Sequence, residues 1–283
     1  MHMNSAPSVR DYARPGTLAA ATELLAQGGW RVLAGGTDLY PGAGPGLPGR
    51  VLDLTGLPEL SGIMEGRGLR IGAATTWAAI AGTKLPPAAR ALQQAARQVG
   101  GQQVQNAGTI GGNLCNASPA ADGVPPLLAL EAEVELVSAA GVRRLLLAEF
   151  LLGPRRTALR PGEILAAVLI PEAALCGGSA FVKLGARSHL VISIAMVAAR
   201  VVLEGGRVTG AAIAVGSCSP VAVRLPTVEA ALVGASVAGA EGRVTAAEVQ
   251  AALSPTDDVR ATAGYRRAAV VELVRRAVAE AAA

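Results

Sequence analysis

Aromatic side chains are scarce in this sequence, and its basic residues are scattered. Phe, Trp and Tyr together make up 2% of the 283 residues, so few rings are available to stack on nucleic-acid bases. The 25 Lys and Arg residues give a net charge of +4, and their densest clusters are pairs such as Arg143-Arg144 and Arg275-Arg276. A nucleic-acid site requires basic residues clustered on one face, and we therefore expect no nucleic-acid partner.

Cysteines are also few, and none stands in a ligand motif. Cys115, Cys176 and Cys218 are far apart, with no CxxC and no His/Cys cluster, which argues against a structural zinc site. No Ser/His/Asp set, metal-ligand cluster or pair of carboxylates is apparent, so we predict neither catalytic residues nor a metal site. Sparse, odd-numbered cysteines suit a reducing compartment.

Long apolar runs are missing as well. The most apolar stretch, Leu190–Leu203, is interrupted by Ser193 and Arg200 and is shorter than the roughly 20 residues of a membrane span. Residues 1–11 show no basic-then-apolar signal pattern. We therefore expect a cytoplasmic protein without a membrane span, in which Val191–Leu203 is a buried strand.

Hydrophobic residues make up 51% of the sequence and charged residues 16%, which is enough apolar surface for a sizeable core. Thr17–Gln27 has helical periodicity with Thr17 as a cap, and Trp30–Ala34 and Val51–Leu54 are predicted strands. Pro41–Gly49, rich in Gly and Pro, is a predicted loop. Together these segments predict an α/β unit of about sixty residues.

The pattern then changes to short strands and helices. The predicted strands are Ile63–Glu65, Gly68–Ala73, Ala132–Ser138, Val142–Leu147 and Ile164–Ile170, the third and fourth forming a hairpin. We predict a helix over Pro87–Val99, a glycine-rich loop over Gly100–Asn116, and a short helix after Asp122.

After Pro171 the composition changes again. The predicted strands are Ala180–Leu184, Val191–Leu203 and Arg207–Val215, and the predicted helices are Pro226–Val233, Thr245–Ala252 and Gly264–Ala281. Strands followed by helices predict an α+β domain whose antiparallel sheet is covered on one side. We divide the chain into residues 1–174, with halves of about 1–58 and 59–174, and residues 175–283.

Two glycine-rich segments suggest a binding function. The first glycine loop is Ala34-Gly35-Gly36-Thr37-Asp38, and the second glycine loop is Gly108-Thr109-Ile110-Gly111-Gly112-Asn113. Glycine lets backbone N–H groups approach an anion closely and allows the positive φ that aims successive N–H groups inward. A Thr hydroxyl adds a donor, so the two loops could hold the two phosphates of a dinucleotide.

Neither loop has the spacing of a Rossmann GxGxxG or a P-loop GxxxxGK[ST] motif. Each loop taken alone is also consistent with an ordinary tight turn. Their joint occurrence, each with its own Thr, favours phosphate binding.

These segments resemble the flavoprotein (medium) subunit of molybdenum hydroxylases. The resemblance rests on both glycine loops, on Ile71–Thr76, and on Pro119-Ala120-Ala121-Asp122, and it extends through Arg160–Leu165, Phe181–Gly185 and Gly216–Pro220. It implies an FAD-binding domain of the vanillyl-alcohol-oxidase type, made of two α+β halves. An α+β C-terminal domain with a small antiparallel sheet and helices would follow.

The resemblance also implies which residues bind FAD. They are Val32, Leu33, Ala34, Gly35, Gly36, Thr37, Asp38 and Leu39 at the first loop; Gly108, Thr109, Ile110, Gly111, Gly112 and Asn113 at the second; Ala74, Thr75 and Thr76 along the cofactor; Asp122 nearer the flavin; and Leu165 and Lys183 at the isoalloxazine.

Several of these residues have a plain structural alternative. Asp38 could only close a turn, Asp122 could cap the following helix, and Lys183 could be a surface lysine with a partly buried stem. Cys115 could be a small buried thiol and His189 a structural residue. Val191 stands where related chains often have an aromatic residue.

The function implied by the resemblance is an oxidoreductase subunit that relays electrons through FAD. A large molybdenum-cofactor subunit and a small [2Fe–2S] subunit would be its partners, in a dimer of heterotrimers. A [2Fe–2S] cluster normally needs four Cys ligands, and this sequence has three. The acceptor, whether NAD, oxygen or a quinone, stays open. The alternatives are a free-standing flavin oxidoreductase of the same fold and a flavin-free scaffold.

Overall fold

The computed structural model describes residues 9–43, 47 and 49–283. The first part of the chain forms β1 Val9–Ala13, α1 Leu18–Ala26, β2 Trp30–Leu33, α2 Leu39–Gly42 and β3 Gly49–Asp53. The strands form a parallel sheet in the order β1-β3-β2. The Thr17 hydroxyl accepts a hydrogen bond from Ala20 N at 3.2 Å and begins α1, which confirms the predicted cap.

The predicted loop over Pro41–Gly49 is wrong at its start, because α2 includes Pro41 and Gly42. Proline is well tolerated in the first turn of a helix, where its missing N–H has no helical partner to lose. Residues 44–46 and 48 of that loop lie outside the described residues.

The second part of the chain contains a five-stranded antiparallel sheet. Its elements are β4 Ile63–Gly66, β5 Gly68–Gly72, α3 Trp77–Gly82, α4 Arg90–Ala96, α5 Gln102–Ala107, α6 Ile110–Asn116, α7 Val124–Ala129, β6 Glu133–Ser138, β7 Gly141–Leu146, α8 Leu147–Phe150, β8 Leu151–Gly153, β9 Arg156–Thr157 and β10 Ile164–Ile170. The strand order is β4-β5-β10-β6-β7, and β8 pairs with β9 in a separate small hairpin. The predicted hairpin is confirmed as β6 and β7.

Residues 100–116 are not the predicted glycine-rich loop, since they form the two short helices α5 and α6. Thr109 explains the second helix, because its hydroxyl accepts a hydrogen bond from Gly112 N at 3.0 Å and caps the first turn. Glycines lower helix propensity, but here tertiary packing outweighs that cost. A Cβ at Gly111 would lie 2.6 Å from the Ala73 Cβ, so this position packs too closely for a larger residue.

The two halves of this region share apolar contacts. Leu52 of β3 and Leu54, just after that strand, cluster with Ile164 and Ala166 of β10. A larger core lies between the antiparallel sheet and helices α3, α4, α6 and α7. The junction of the halves is therefore packed by its own apolar cluster, and the segments that carry the two glycine loops also contact each other.

The last part of the chain forms β11 Gly178–Leu184, β12 Ala195–Glu204, β13 Arg207–Gly216, β14 Val223–Arg224, α9 Pro226–Leu232, α10 Val237–Ala240, α11 Ala246–Ala251 and α12 Ala263–Ala282. Its four strands form an antiparallel sheet in the order β11-β12-β13-β14. In the part of the chain that the structure describes, no helix is long and apolar enough to cross a membrane.

This sheet is covered on both faces, so the predicted one-sided cover is wrong. Successive β12 residues point to opposite faces: Val197 and Ala199 join the core formed with α9, α11 and α12. Met196 and Ala198 instead pack with Ala91 and Ala95 of α4 and with α7. The division of the chain between residues 174 and 175 stays a prediction.

Strand β12 begins at Ala195, four residues later than predicted. Ser193 turns its hydroxyl toward Asp122, and the carbonyl oxygens of Ser193 and Ile194 accept hydrogen bonds from arginine side chains. These contacts replace the ladder hydrogen bonds that a strand would have used there.

Candidate functional site

A cavity of about 490 Å³ opens where the two glycine loops meet, a volume within the usual range for small-molecule sites. Of the predicted site residues, those that line it are Val32, Ala34, Gly35, Gly36, Thr37, Asp38, Leu39, Ala74, Gly108, Thr109, Gly111, Gly112, Asn113 and Leu165. The predicted residues outside its lining are Leu33, Thr75, Thr76, Ile110, Asp122 and Lys183. The structure thus brings most of the predicted set to one place.

The first glycine loop presents open backbone donors. In the described part of the chain, the N–H groups of Gly35, Gly36, Thr37 and Asp38 have no backbone acceptor. Gly36 has a φ of +70°, and a turn with such a residue aims neighbouring N–H groups into one concavity. A Cβ at Gly36 would also overlap the Tyr40 ring. This loop has the geometry of an anion cradle.

The two loops touch each other directly. A Cβ at Gly35 would overlap the carbonyl oxygen of Ala107. One at Gly108 would lie 2.8 Å from the Val104 carbonyl oxygen and 3.4 Å from the Thr37 hydroxyl oxygen. Both positions therefore need glycine for close backbone approach.

Most backbone donors of the second glycine loop are occupied, and among its N–H groups that of Thr109 has no acceptor in the described residues. The N–H groups of Ile110 and Gly111 donate to the carbonyl oxygens of Thr75 and Ala73, at 3.0 and 2.8 Å. The Gly112 N–H donates to the Thr109 hydroxyl. This loop also offers the cavity a side chain. The Asn113 Oδ1 atom is buried and has no hydrogen-bond partner in the described residues, and a buried polar atom of this kind usually awaits a ligand or a water molecule.

Residues 73–76 support the second loop from behind. Thr76 caps α3 by accepting from Ala79 N at 3.2 Å and forms an isolated β-bridge with Thr109. Thr75 is buried, and its hydroxyl donates to the Gly62 carbonyl oxygen. Of the predicted residues here, Ala74 alone lines the cavity.

Asp122 and Lys183 pair with each other. Lys183 Nζ lies 2.6 Å from Asp122 Oδ2, with side chains 6% and 8% exposed, and it also donates to the Gln98 carbonyl oxygen at 3.1 Å. Burial raises the pKa of the Asp122 carboxyl, and the charge of Lys183 opposes that rise. Lys183 is thus no surface lysine. Asp122 does not cap α7, which begins with Gly123 at the cap position and has no side-chain cap.

The opposite wall of the cavity is apolar, with one carboxylate. Ile164 and Leu165 line it beside Glu163. Arg143 Nε lies 2.5 Å from Glu163 Oε1, and this ion pair lowers the pKa of the Glu163 carboxyl. The described lining contains no lysine or arginine, so an anion there would be held by neutral donors.

Sequence reasoning missed several residues of the lining. They are Leu54, Leu60, Trp77, Val99, Val104, Cys115, Asn116, Leu159, Glu163 and Ile164. Most are apolar. Nearness to the second loop along the chain could have suggested Cys115 and Asn116, whereas Leu159, Glu163 and Ile164 come from a distant segment and carried no such signal. Cys115 is exposed to the cavity, while the protein around it raises the pKa of its thiol to about 12, so the thiol stays protonated at neutral pH. His189 is exposed and lies outside the lining.

Comparisons with known proteins agree with this geometry. Residues 6–173 match a family model described as the FAD binding domain in molybdopterin dehydrogenase, and residues 180–281 match the CO dehydrogenase flavoprotein C-terminal domain. The chain is 31% identical to the putative xanthine dehydrogenase FAD-binding subunit of Escherichia coli, over 96% of each chain. It is 32% identical to the carbon monoxide dehydrogenase medium chain of Afipia carboxidovorans, over 98% of each.

Solved structures show the same fold. Reconstituted CO dehydrogenase from Oligotropha carboxidovorans contains a chain that superposes with a TM-score of 0.90 at 30% identity, over 98% of this chain and 99% of that one. A chain of quinoline 2-oxidoreductase from Pseudomonas putida gives a TM-score of 0.87 at 28% identity, over 98% of each.

The cavity fits the cofactor that the family name specifies. Open amides in the first loop suit a diphosphate, Asn113 Oδ1 awaits a donor, and the apolar wall around Leu165 suits a planar ring. The fold and the site therefore define an FAD-binding flavoprotein of the oxidoreductase class. More narrowly, the chain belongs to the FAD-binding subunits of the molybdopterin dehydrogenases, the molybdenum hydroxylase family.

Proposed function

We propose that this chain is the electron-relay subunit of a multi-subunit molybdenum hydroxylase. It would receive electrons from [2Fe–2S] clusters on a small partner subunit, while a large molybdenum subunit oxidises the substrate, and it would deliver them to an external acceptor. The observation that carries the proposal is the cavity with open backbone donors at the first glycine loop. Relatives named as medium chains and medium subunits support the multi-subunit assembly.

The residues of this chain would act by binding and positioning. The amides of Gly35 to Asp38 would hold the diphosphate, with the Thr37 and Thr109 hydroxyls as further donors. Asn113 would donate from its amide or accept at Oδ1. When bound, FAD supplies the redox chemistry that links one-electron carriers to a two-electron acceptor.

The described residues hold no cluster of three or more His, Cys, Asp or Glu side chains that could bind a metal ion. The sequence has three cysteines, fewer than the four that a [2Fe–2S] cluster normally uses. Both facts are consistent with clusters carried by another subunit.

The proposal is tested by purifying the tagged chain from its native host. We expect a yellow complex that contains iron–sulfur and molybdenum subunits, whose flavin is reduced when the substrate of the large subunit is added. A chain that purifies alone and oxidises a substrate by itself would instead identify a free-standing flavin oxidoreductase. Removal of FAD should lower electron transfer to the acceptor, and addition of FAD should restore it. Neither treatment should change the substrate-dependent reduction of the iron–sulfur clusters.

A further inference from the structure

A buried serine completes the environment of the Asp122–Lys183 pair. The Ser193 hydroxyl donates to Asp122 Oδ1 at 2.5 Å, and Lys183 Nζ binds the other carboxylate oxygen at 2.6 Å. Ser193 is fully buried. Each oxygen of this carboxylate therefore has one donor from the C-terminal part of the chain.

The pair lies directly behind the cavity wall. Lys183 Nζ also donates to the carbonyl oxygen of Gln98, and the next residue, Val99, lines the cavity. On the other side, Gly123 follows Asp122, and a Cβ at Gly123 would lie 3.2 Å from Oδ1 of the cavity-lining Asn113. A change of charge or orientation in the Asp122–Lys183 pair would therefore reach the cavity lining through a single intervening residue.

Two arginines hold the backbone that carries Ser193. Arg260 donates to the Ser193 carbonyl oxygen at 2.9 Å, and Arg266 donates to that of Ile194. Both guanidinium groups also bind Asp258, at 2.6 and 2.7 Å. Arg266 is 1% exposed, and burying a charge of this kind is favourable only when its partners are fixed.

We infer that Ser193 is a positioning residue for bound FAD, because its hydroxyl orients Asp122 against Lys183 behind the part of the cavity wall that contains Val99 and Asn113. The inference rests on one part of the proposed function, namely that the bound flavin is a redox carrier. Without the hydroxyl, the buried carboxylate loses a donor to its charged form, which favours protonation of Asp122. The positive charge of Lys183 would then be less compensated, and reduced flavin, which carries more negative charge, would bind more tightly.

The test is a reductive titration of the full-length chain loaded with FAD, with Ser193→Ala compared with the natural residue. We expect FAD to bind in both proteins and the ratio of affinities for reduced over oxidised flavin to rise about tenfold in the variant. This ratio follows from the midpoint potential, measured by equilibration with a reference dye. Ser193→Cys keeps the volume and donates only weakly, so it should shift the potential in the same direction if Ser193→Ala folds poorly.

Ser217→Ala is the matched control. Ser217 is also buried, and its carbonyl oxygen is held by Arg266 at 2.9 Å, but its hydroxyl has no partner among the described residues. We expect the flavin midpoint potential of Ser217→Ala to equal that of the unmodified chain. An unchanged potential in both Ser193 variants, or an equal shift in Ser217→Ala, would overturn the inference. The titration needs no partner subunit, so its failure is distinct from a failure of the relay, which would appear as missing partners.

Discussion

The two glycine loops have similar sequences but different structural roles. In the first loop, the N–H groups of Gly35 to Asp38 have no backbone acceptor in the described chain. In the second loop, the N–H groups of Ile110 to Asn113 all donate within the protein, to Thr75, Ala73 and Thr109. In the described residues, the first loop has four consecutive N–H groups without a backbone acceptor, whereas in the second loop only the N–H of Thr109, which precedes α6, has none.

This difference shows what glycine does in each place. Gly36 is needed for its positive φ, which shapes the donor-lined turn. Gly111 has no positive φ and is needed because Ala73 lies too close for a side chain. A glycine pair with a nearby Thr therefore indicates a close approach of backbone, and the approaching group is either a ligand or another segment of the protein.

The largest expected effect comes from Gly35→Ala, at the contact between the loops. The new Cβ would overlap the backbone of Ala107 and Gly108, and overpacking of this kind costs about 1–3 kcal/mol. We expect the free energy of unfolding to fall by that amount and FAD affinity to fall by about tenfold or more, because the loops must separate. Denaturant unfolding of the apo chain and fluorescence titration with FAD measure the two effects.

Gly42→Ala is the control for this substitution. Gly42 lies in the same segment, and no atom of the described residues lies within 4 Å of an added Cβ there. Its substitution should change stability by no more than about 0.5 kcal/mol. Equal losses in both variants would mean that the contact between the loops is not what limits the site.

A somewhat smaller effect is expected at the side chain that the second loop offers. Asn113→Leu removes a buried polar atom that has no partner in the described chain, and such a replacement is close to neutral or stabilising. We expect the apo chain to keep its melting temperature and FAD affinity to fall about tenfold, since a hydrogen bond to the ligand is lost. A destabilised apo chain with unchanged FAD affinity would assign Asn113 to the fold instead.

Much of the fold could be predicted from local sequence signals. Thr17 as a helix cap and the hairpin of β6 and β7 follow from short-range chemistry, and both are confirmed. The helix in the second glycine loop was not predicted, although Thr109 caps it locally, because its glycines lower helix propensity. Gly111 is explained by Ala73, which lies far from it in the sequence and close in space. Sequence alone gives no signal for that contact.

The same reason limits prediction of the site. The cradle residues Gly35 and Gly36 stand in a recognisable motif, whereas wall residues such as Leu54 and Val99 are ordinary apolar residues until the halves pack together. Both faces of the C-terminal sheet are buried because α4 comes from a distant segment to cover β11 and β12. In the sequence, the only sign of this long-range packing is a run of alanine and valine.

Thr37 of the first glycine loop and Thr109 of the second allow the different roles of the two loops to be tested directly. Thr109 accepts from Gly112 N and caps α6, so Thr109→Val should lower apo stability by about 1 kcal/mol. The Thr37 hydroxyl is free to face the cavity, so Thr37→Val should leave apo stability within about 0.5 kcal/mol and weaken FAD binding severalfold. Thermal unfolding with and without FAD separates these effects. Reversed results would mean that the roles of the two loops had been exchanged.

The smallest expected effect concerns salt. The described cavity lining contains no lysine or arginine, so the diphosphate would be held by neutral amides and hydroxyls whose attraction is screened little by ions. FAD affinity should then change less than about threefold between about 50 mM and about 500 mM sodium chloride. Asp38, exposed beside the open amides, is the one charge of the first loop, and it repels an anion. Asp38→Asn should therefore tighten FAD binding about twofold at low salt and have no effect at high salt. A steep salt dependence in the unmodified chain would show that cations hold the diphosphate, and the open amides of the first loop would then not be its main ligands.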